Sequence, residues 1–161
     1  MGSLHFWLMK IVLTGGGSGG HFYPLMAVAG EIYKVAAEDK LLAPSLYYIG
    51  VEEYDRAALE EHNITFLHAP SGKVRKYFSI QNAIDPFKVL FGTFKALWQL
   101  FTLYPDVIFS KGGYASVPTL VAARLLRIPV VVHESDAVPG RASLLGAKFA
   151  RFVATSYSGT A

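Results

Sequence analysis

The sequence predicts an α/β domain built on a doubly wound, mainly parallel sheet of Rossmann-like topology, and three observations point to it. Short apolar or β-branched runs alternate with stretches of helical pattern, which is the signature of βα units. A glycine-rich turn stands between the first run and the first helix. Polar segments follow three of the runs, at the carboxyl ends where an open parallel sheet carries its ligand crevice. The runs lie at residues 11–14, 46–49, 64–68, 107–109, 130–133 and 152–155.

The first run leads into Gly15-Gly16-Gly17-Ser18-Gly19-Gly20-His21, followed by a helix predicted to begin near Pro24. Glycines let backbone amides approach a ligand closely, and the helix start that follows directs free N–H groups and a positive dipole end at an anion. Pro24 suits a first helical turn, where its missing donor costs nothing. A Walker A loop is excluded, because His21 and Phe22 stand where Lys and Ser or Thr are required. The spacing Gly15, Gly17, Gly20 also satisfies GxGxxG, so a dinucleotide site with Glu52 or Glu53 on the ribose is an alternative, as is a purely structural glycine turn.

A length of 161 residues suits one domain with a sizeable core. Hydrophobic residues make up 52% of the chain, yet no run approaches the roughly 18 apolar residues of a membrane span. The absence of cysteine fits a reducing compartment. Residues 1–9 read as a leader and 10–161 as the domain; the stop just past the last apolar run reads as a domain cut from something longer. Residues 1–72 hold 4 Lys/Arg and 8 Asp/Glu, whereas residues 73–161 hold 11 and 4, so charges of −4 and +7 divide the chain. The basic half suits an anionic membrane face or a phosphorylated substrate. No nucleic-acid module with stacking aromatics accompanies it, so no nucleic-acid partner is expected.

Within that half, Phe87, Leu90, Phe91, Phe94, Leu97, Trp98 and Phe101 recur at helical spacing, with Lys88 and Lys95 on other parts of the surface. A core-facing helix accounts for the Phe91, Phe94, Trp98 side. The preceding loop adds Lys73, Arg75, Lys76, Tyr77, Phe78 and Ile80, a mixture of cations and apolar groups that suits reversible docking on an anionic bilayer, each cation contributing about 1 kcal/mol.

The fourth run opens into Lys111-Gly112-Gly113-Tyr114-Ala115-Ser116-Val117-Pro118, a second glycine turn before a helix and a plausible anion or sugar cradle. The fifth ends in His133-Glu134-Ser135-Asp136-Ala137-Val138-Pro139-Gly140, four polar side chains at the tip of an apolar strand. Three such motifs in this order resemble the MurG family of bacterial transferases, members of glycosyltransferase family 28 in the GT-B superfamily. These add N-acetylglucosamine to the undecaprenyl-diphosphate-linked muramyl pentapeptide of peptidoglycan synthesis. The resemblance runs from about Met9 onward and concerns the N-terminal, acceptor-binding half of a two-domain enzyme.

The resemblance implies that Gly16, Gly17, Ser18, Gly19 and Gly20 hold the acceptor diphosphate, consistent with an N–H-rich helix start. His21 matches a histidine proposed as general base; an imidazole is largely neutral near pH 7 and can accept the proton of the muramyl C4 hydroxyl. Its alternative role is phosphate binding or capping at the helix start. Gly112, Gly113, Tyr114 and Ser116, with His133 and Ser135, match acceptor and sugar contacts, though Tyr114 can equally pack its ring. Glu134 either meets a sugar, orients a histidine, or accepts N–H bonds from the next helix start. The family pattern reads HEQN where this chain has His133-Glu134-Ser135-Asp136. Asparagine donates and accepts, whereas ionised aspartate only accepts, so Asp136 is a different sugar contact or a second base candidate.

The expected reaction is an inverting transfer from UDP-GlcNAc, with no tightly bound cofactor, no metal site assigned and the role of a divalent ion open. The expected partners are the lipid-linked acceptor, the anionic inner membrane surface and a C-terminal UDP-sugar domain absent from this chain, which leaves this domain alone inactive. The expected location is peripheral, on the cytoplasmic face of the plasma membrane. A stand-alone membrane recruiter subunit of a lipid-diphosphate GlcNAc transferase is the nearest rival, and a dinucleotide-binding module a more distant one.

Overall fold

The computed structural model describes residues 8–72 and 81–157. Six strands, β1 (Lys10–Gly15), β2 (Ser45–Gly50), β3 (Ile64–His68), β4 (Val107–Gly112), β5 (Val130–Glu134) and β6 (Phe152–Thr155), form one sheet in the order β3-β2-β1-β4-β5-β6. Every pairing is parallel. Five helices connect them: α1 (Gly19–Glu38), α2 (Arg56–Glu61), α3 (Gln81–Leu103), α4 (Val117–Leu126) and α5 (Arg141–Ala147). The doubly wound expectation therefore holds, and each predicted run is a strand.

Alternation along the strands divides the core in two. Ile11 and Leu13 of β1 join Phe22, Leu25, Met26 and Ala29 of α1 on one face, while Val12 joins Ala96 and Leu100 of α3 and Leu120, Ala122 and Ala123 of α4 on the other. The strand order reverses at β1, whose neighbours are β2 and β4. The two glycine turns emerge at that switch point, at the carboxyl ends of β1 and β4, where an open α/β sheet takes its ligand.

Two local expectations are corrected. Helix α1 begins at Gly19 rather than near Pro24, which lies inside it. Ser18, in extended conformation (φ −163°, ψ 159°), is its N-cap, and the N–H groups of His21 and Phe22 both bond the Ser18 carbonyl, at 3.1 and 3.2 Å. The helix can therefore start within the glycines, and Pro24 costs only the partner of the Gly20 carbonyl.

Helix α3 does not turn Phe91, Phe94 and Trp98 to the core: they are 65%, 64% and 69% exposed, whereas Ala96 and Leu100 are buried. The helix carries apolar residues on more than one side, and close packing selects the side with small residues. At Gly92 a methyl group would run into the Pro70 carbonyl and come within 3.2 Å of Pro118, so α3 meets its neighbours at backbone distance. The larger aromatic side is left outward. Among the described residues no helix is long and apolar enough to cross a membrane.

This packing predicts opposite outcomes for two glycine substitutions within helices. Gly92→Ala overpacks the seat of α3 and lowers stability by about 1–3 kcal/mol. Gly30→Ala, in α1, meets nothing closer than 3.9 Å and raises stability by about 0.5–1 kcal/mol by removing a helix-interior glycine. Urea denaturation followed by circular dichroism measures both.

Candidate functional site

Each glycine turn is held by the other. Gly113 has φ +81°, and a Cβ there would overlap the Gly16 carbonyl oxygen and lie 3.0 Å from the His21 ring. Gly17 has φ +90°, and its Cβ position is occupied by the Tyr114 ring. Only glycine permits both the conformation and the approach. Tyr48, which sequence reading passed over, supports the first turn from below: its buried hydroxyl donates 2.7 Å to the Gly15 carbonyl. Burial, with the nearby charge of Glu52, raises the Tyr48 pKa, so the hydroxyl remains a donor. Ser71 fixes the second turn by donating 2.8 Å to the Tyr114 carbonyl.

Of the predicted anion-binding residues, Gly17, Ser18 and Gly20 are exposed, Gly19 is half-buried and Gly16 is buried. The exposed ones line the start of a 20-residue helix whose first amides have no partner within the helix itself. Ser18 makes no side-chain capping bond. This is a concentrated set of backbone donors with a favourable dipole for a phosphate group.

His21 stands in the first turn of α1, half-buried, with Nδ1 3.3 Å from the Lys111 carbonyl. A carbonyl only accepts, so that bond places the proton on Nδ1 and leaves the Nε2 lone pair to receive another. The bond depends on an irregularity of the sheet. Strand β1 sets Thr14 against Ser110 and Gly15 against Gly112, so Lys111 is the extra residue of a bulge.

The segment after β5 is organised by Glu134, which is 4% exposed. Its Oε1 accepts from the Asp136 N–H at 3.1 Å and its Oε2 from the Gly140 N–H, the N-cap of α5, at 3.0 Å. Burial opposes its ionisation, but the bonds from Ser143, Gly140 and Asp136 and the charge of Lys111 outweigh it and hold the carboxyl below its ordinary pKa. Both oxygens thus serve the loop. This is the helix-start reading among those open from sequence, and it makes Glu134 an anchor of the segment.

The other sequence-predicted residues divide by exposure. Asp136 is exposed beside the half-buried Ser135, whose hydroxyl lies 3.5 Å from Asp136 Oδ1. His133 is half-buried, its ring centroid 6.2 Å from that of Phe109 and its Nδ1 without a hydrogen-bond partner. Burial and the Lys111 charge lower its pKa against the opposing pull of Glu134, so it is a neutral, largely packed imidazole. Ser116 is fully buried and donates 2.8 Å to the Gly113 carbonyl, and Gly112 is buried as well. Their geometry shapes the second turn from within. Tyr114 is half-buried across Gly17, with its ring packed as the second of its two readings has it.

Lys111, 1% exposed, is the largest omission of the sequence reading. A lysine inside an otherwise apolar strand is the signal that could have found it. The patch residues Lys73, Arg75, Lys76, Tyr77, Phe78 and Ile80 lie outside the described residues. Glu52 and Glu53, the dinucleotide candidates, are exposed beyond β2. Among the described residues no group of three or more His, Asp or Glu is arranged to hold a metal ion.

Comparison with known proteins finds relatives along nearly the whole chain. The chain is 43% identical over 152 residues to the UDP-N-acetylglucosamine--N-acetylmuramyl-(pentapeptide) pyrophosphoryl-undecaprenol N-acetylglucosamine transferase of Clostridium novyi (strain NT), a match covering 94% of this chain and 41% of that protein. It is 40% identical to the transferase of the same name from Clostridium botulinum (strain Hall), over 93% of this chain and 41% of that protein. The crystal structure of Acinetobacter baumannii MurG superposes with a TM-score of 0.73 at 26% identity, over 96% of this chain and 42% of that one. The chain thus spans about two fifths of the length of these relatives. Residues 11–155 match the N-terminal domain of glycosyltransferase family 28, and the chain belongs to that family.

Proposed function

We propose that this domain is the acceptor-binding half of an inverting transferase that moves GlcNAc from UDP-GlcNAc to the C4 hydroxyl of undecaprenyl-diphosphate-linked MurNAc-pentapeptide. The observation that carries the reading is the position of His21, with Nδ1 3.3 Å from the Lys111 carbonyl, in the first turn of a helix whose amides suit a diphosphate. The names of the relatives supply the substrates.

In this reading the acceptor diphosphate binds the amides and hydroxyl of the segment Gly17 to Gly20, which brings its muramyl sugar to the mouth between the two glycine turns. The C4 oxygen attacks the anomeric carbon of GlcNAc from the face opposite UDP. A new C–O bond forms as the bond to the diphosphate oxygen breaks, the C4 proton passes to His21 Nε2, and UDP departs with the bonding electron pair. Inversion follows from the single displacement. The donor binds the portion of the protein that this chain does not include. Much of the rate gain comes from holding the two sugars in line, an effect that can supply about 7–11 kcal/mol.

The same reading places the domain against the cytoplasmic face of the membrane. Phe87, Phe91, Phe94, Trp98 and Phe101 are each more than 60% exposed on α3, and the chain's cations concentrate in the half that contains this helix. Aromatic side chains beside lysines suit the headgroup boundary of an anionic bilayer.

Two outcomes test the proposal in the full-length protein. His21→Ala lowers kcat for GlcNAc transfer by about 10²–10⁴-fold with little change in the acceptor KM, measured with radiolabelled UDP-GlcNAc and the lipid-linked acceptor. Replacing Phe91, Phe94 and Trp98 together by Ser weakens partitioning onto phosphatidylglycerol vesicles by at least about tenfold, as expected from the loss of insertable aromatic area. The thermal midpoint stays unchanged, because those side chains are exposed in the fold.

A further inference from the structure

The loop after β2 reads Val51-Glu52-Glu53-Tyr54-Asp55, leads into α2, and is tied to the first turn of α1 from two sides. Asp55 engages both of its oxygens: Oδ1 accepts from the Ala58 N–H at 3.1 Å as the N-cap of α2, and Oδ2 accepts from the Tyr23 hydroxyl at 3.2 Å. The Tyr54 ring lies with its centroid 5.2 Å from that of the fully buried Phe22 and stands edge-on to Tyr23 at 6.0 Å. Loop and ring are therefore held in place before any ligand arrives.

Two tyrosines thus flank the start of α1, and their hydroxyls differ. That of Tyr23 is engaged by Asp55, whereas that of Tyr54 has no hydrogen-bond partner among the described residues, and Tyr54 is 41% exposed. A Cβ built on Gly19 would lie 3.2 Å from the Tyr54 hydroxyl oxygen and 3.3 Å from the Tyr23 ring. Cβ bonds tilt toward the N-terminus of a helix, so the group in that space stands at the end from which the first amides project. Unlike Gly16 and Gly17, Gly19 does not have a positive φ. What a side chain at Gly19 would disturb is the seat of the phenol.

We propose that Tyr54 is a further binding residue for the acceptor diphosphate, its hydroxyl donating a hydrogen bond to a phosphate oxygen at the first turn of α1. The inference rests on the transferase reading for the identity of the ligand and adds to it a side chain from outside the glycine turns. Beside Glu52, Glu53 and Asp55, whose ionised carboxylates only accept, Tyr54 is the polar side chain of this loop with a proton to give. A donor facing an ionised acceptor makes one of the stronger hydrogen bonds, and a ring already fixed by its neighbours loses little freedom in forming it.

The test is calorimetric titration of the full-length protein with inorganic pyrophosphate, the donor site being saturated with UDP. Tyr54→Phe keeps the ring and its aromatic contacts and removes only the hydroxyl. It raises the Kd for pyrophosphate by about tenfold, the value of one hydrogen bond to a charged group, with the Kd for UDP unchanged. In the transfer assay the same variant raises the acceptor KM by a similar factor and leaves the UDP-GlcNAc KM as it was. Equal pyrophosphate affinity in Tyr54→Phe and wild type overturns the proposal, as does a wild type that does not bind pyrophosphate, or a loss of UDP affinity as large as the loss for pyrophosphate. Failure of the reaction is read separately. A protein that moves no GlcNAc to the lipid-linked acceptor refutes the proposed function, whereas binding of pyrophosphate that depends on the Tyr54 hydroxyl upholds its contact with a diphosphate whatever the reaction proves to be.

Discussion

The contact of two glycine turns, backbone against backbone, is the constraint on which the rest of this domain depends. Gly113 approaches the Gly16 carbonyl so closely that no side chain fits between, and Gly17 lies beneath the Tyr114 ring. The approach requires β1 and β4 to be neighbours, which a doubly wound sheet arranges at the point where its strand order reverses. It also requires the bulge at Lys111, which turns a strand carbonyl toward His21. Helix start, His21 and second turn are thus aimed by one sheet junction, with loops short enough to have little freedom of their own.

The charge layout follows the same economy. Glu134 and Lys111 are both nearly inaccessible, and neither forms a simple ion pair with the other. Glu134 is compensated by two backbone N–H groups and a serine hydroxyl, Lys111 by the hydroxyl of Ser135 and by the carboxylate's field. Burying charge in this way is poor for stability compared with apolar packing, and is retained where geometry matters more. At this edge of the sheet Ser18 and Asp136 are exposed and His21 is half-buried.

Helix α3 has the reverse arrangement, with aromatic groups outside and alanine within. Its seat against α4 is narrow because Gly92 and Ala96 permit close approach, and the bulky residues are left outward. An apolar face of that size is a liability in water and is expected where a protein meets a partner or a bilayer. Burial of small residues and exposure of large ones are one packing choice seen from its two sides.

The sequence by itself determined the architecture and the place of the polar segments at the carboxyl edge of the sheet. Alternating apolar runs dictate strand faces locally, and a run of five glycines with one serine after a strand has few structural uses, so strand positions, parallel order and the three polar tips could be read from residues alone. It did not determine the start of α1, because a proline inside a first turn and one just before it leave similar local patterns. Nor did it determine which side of α3 is buried, since a helix apolar on several sides is oriented only by what packs against it. The roles of Glu134, Ser116 and Lys111 were likewise decided by the tertiary structure. A carboxylate, a hydroxyl or an ammonium declares its chemistry in sequence, but whether it faces substrate or is satisfied within the fold depends on groups far away along the chain, such as Lys111 with Ser135, brought together only when β4 and β5 pair.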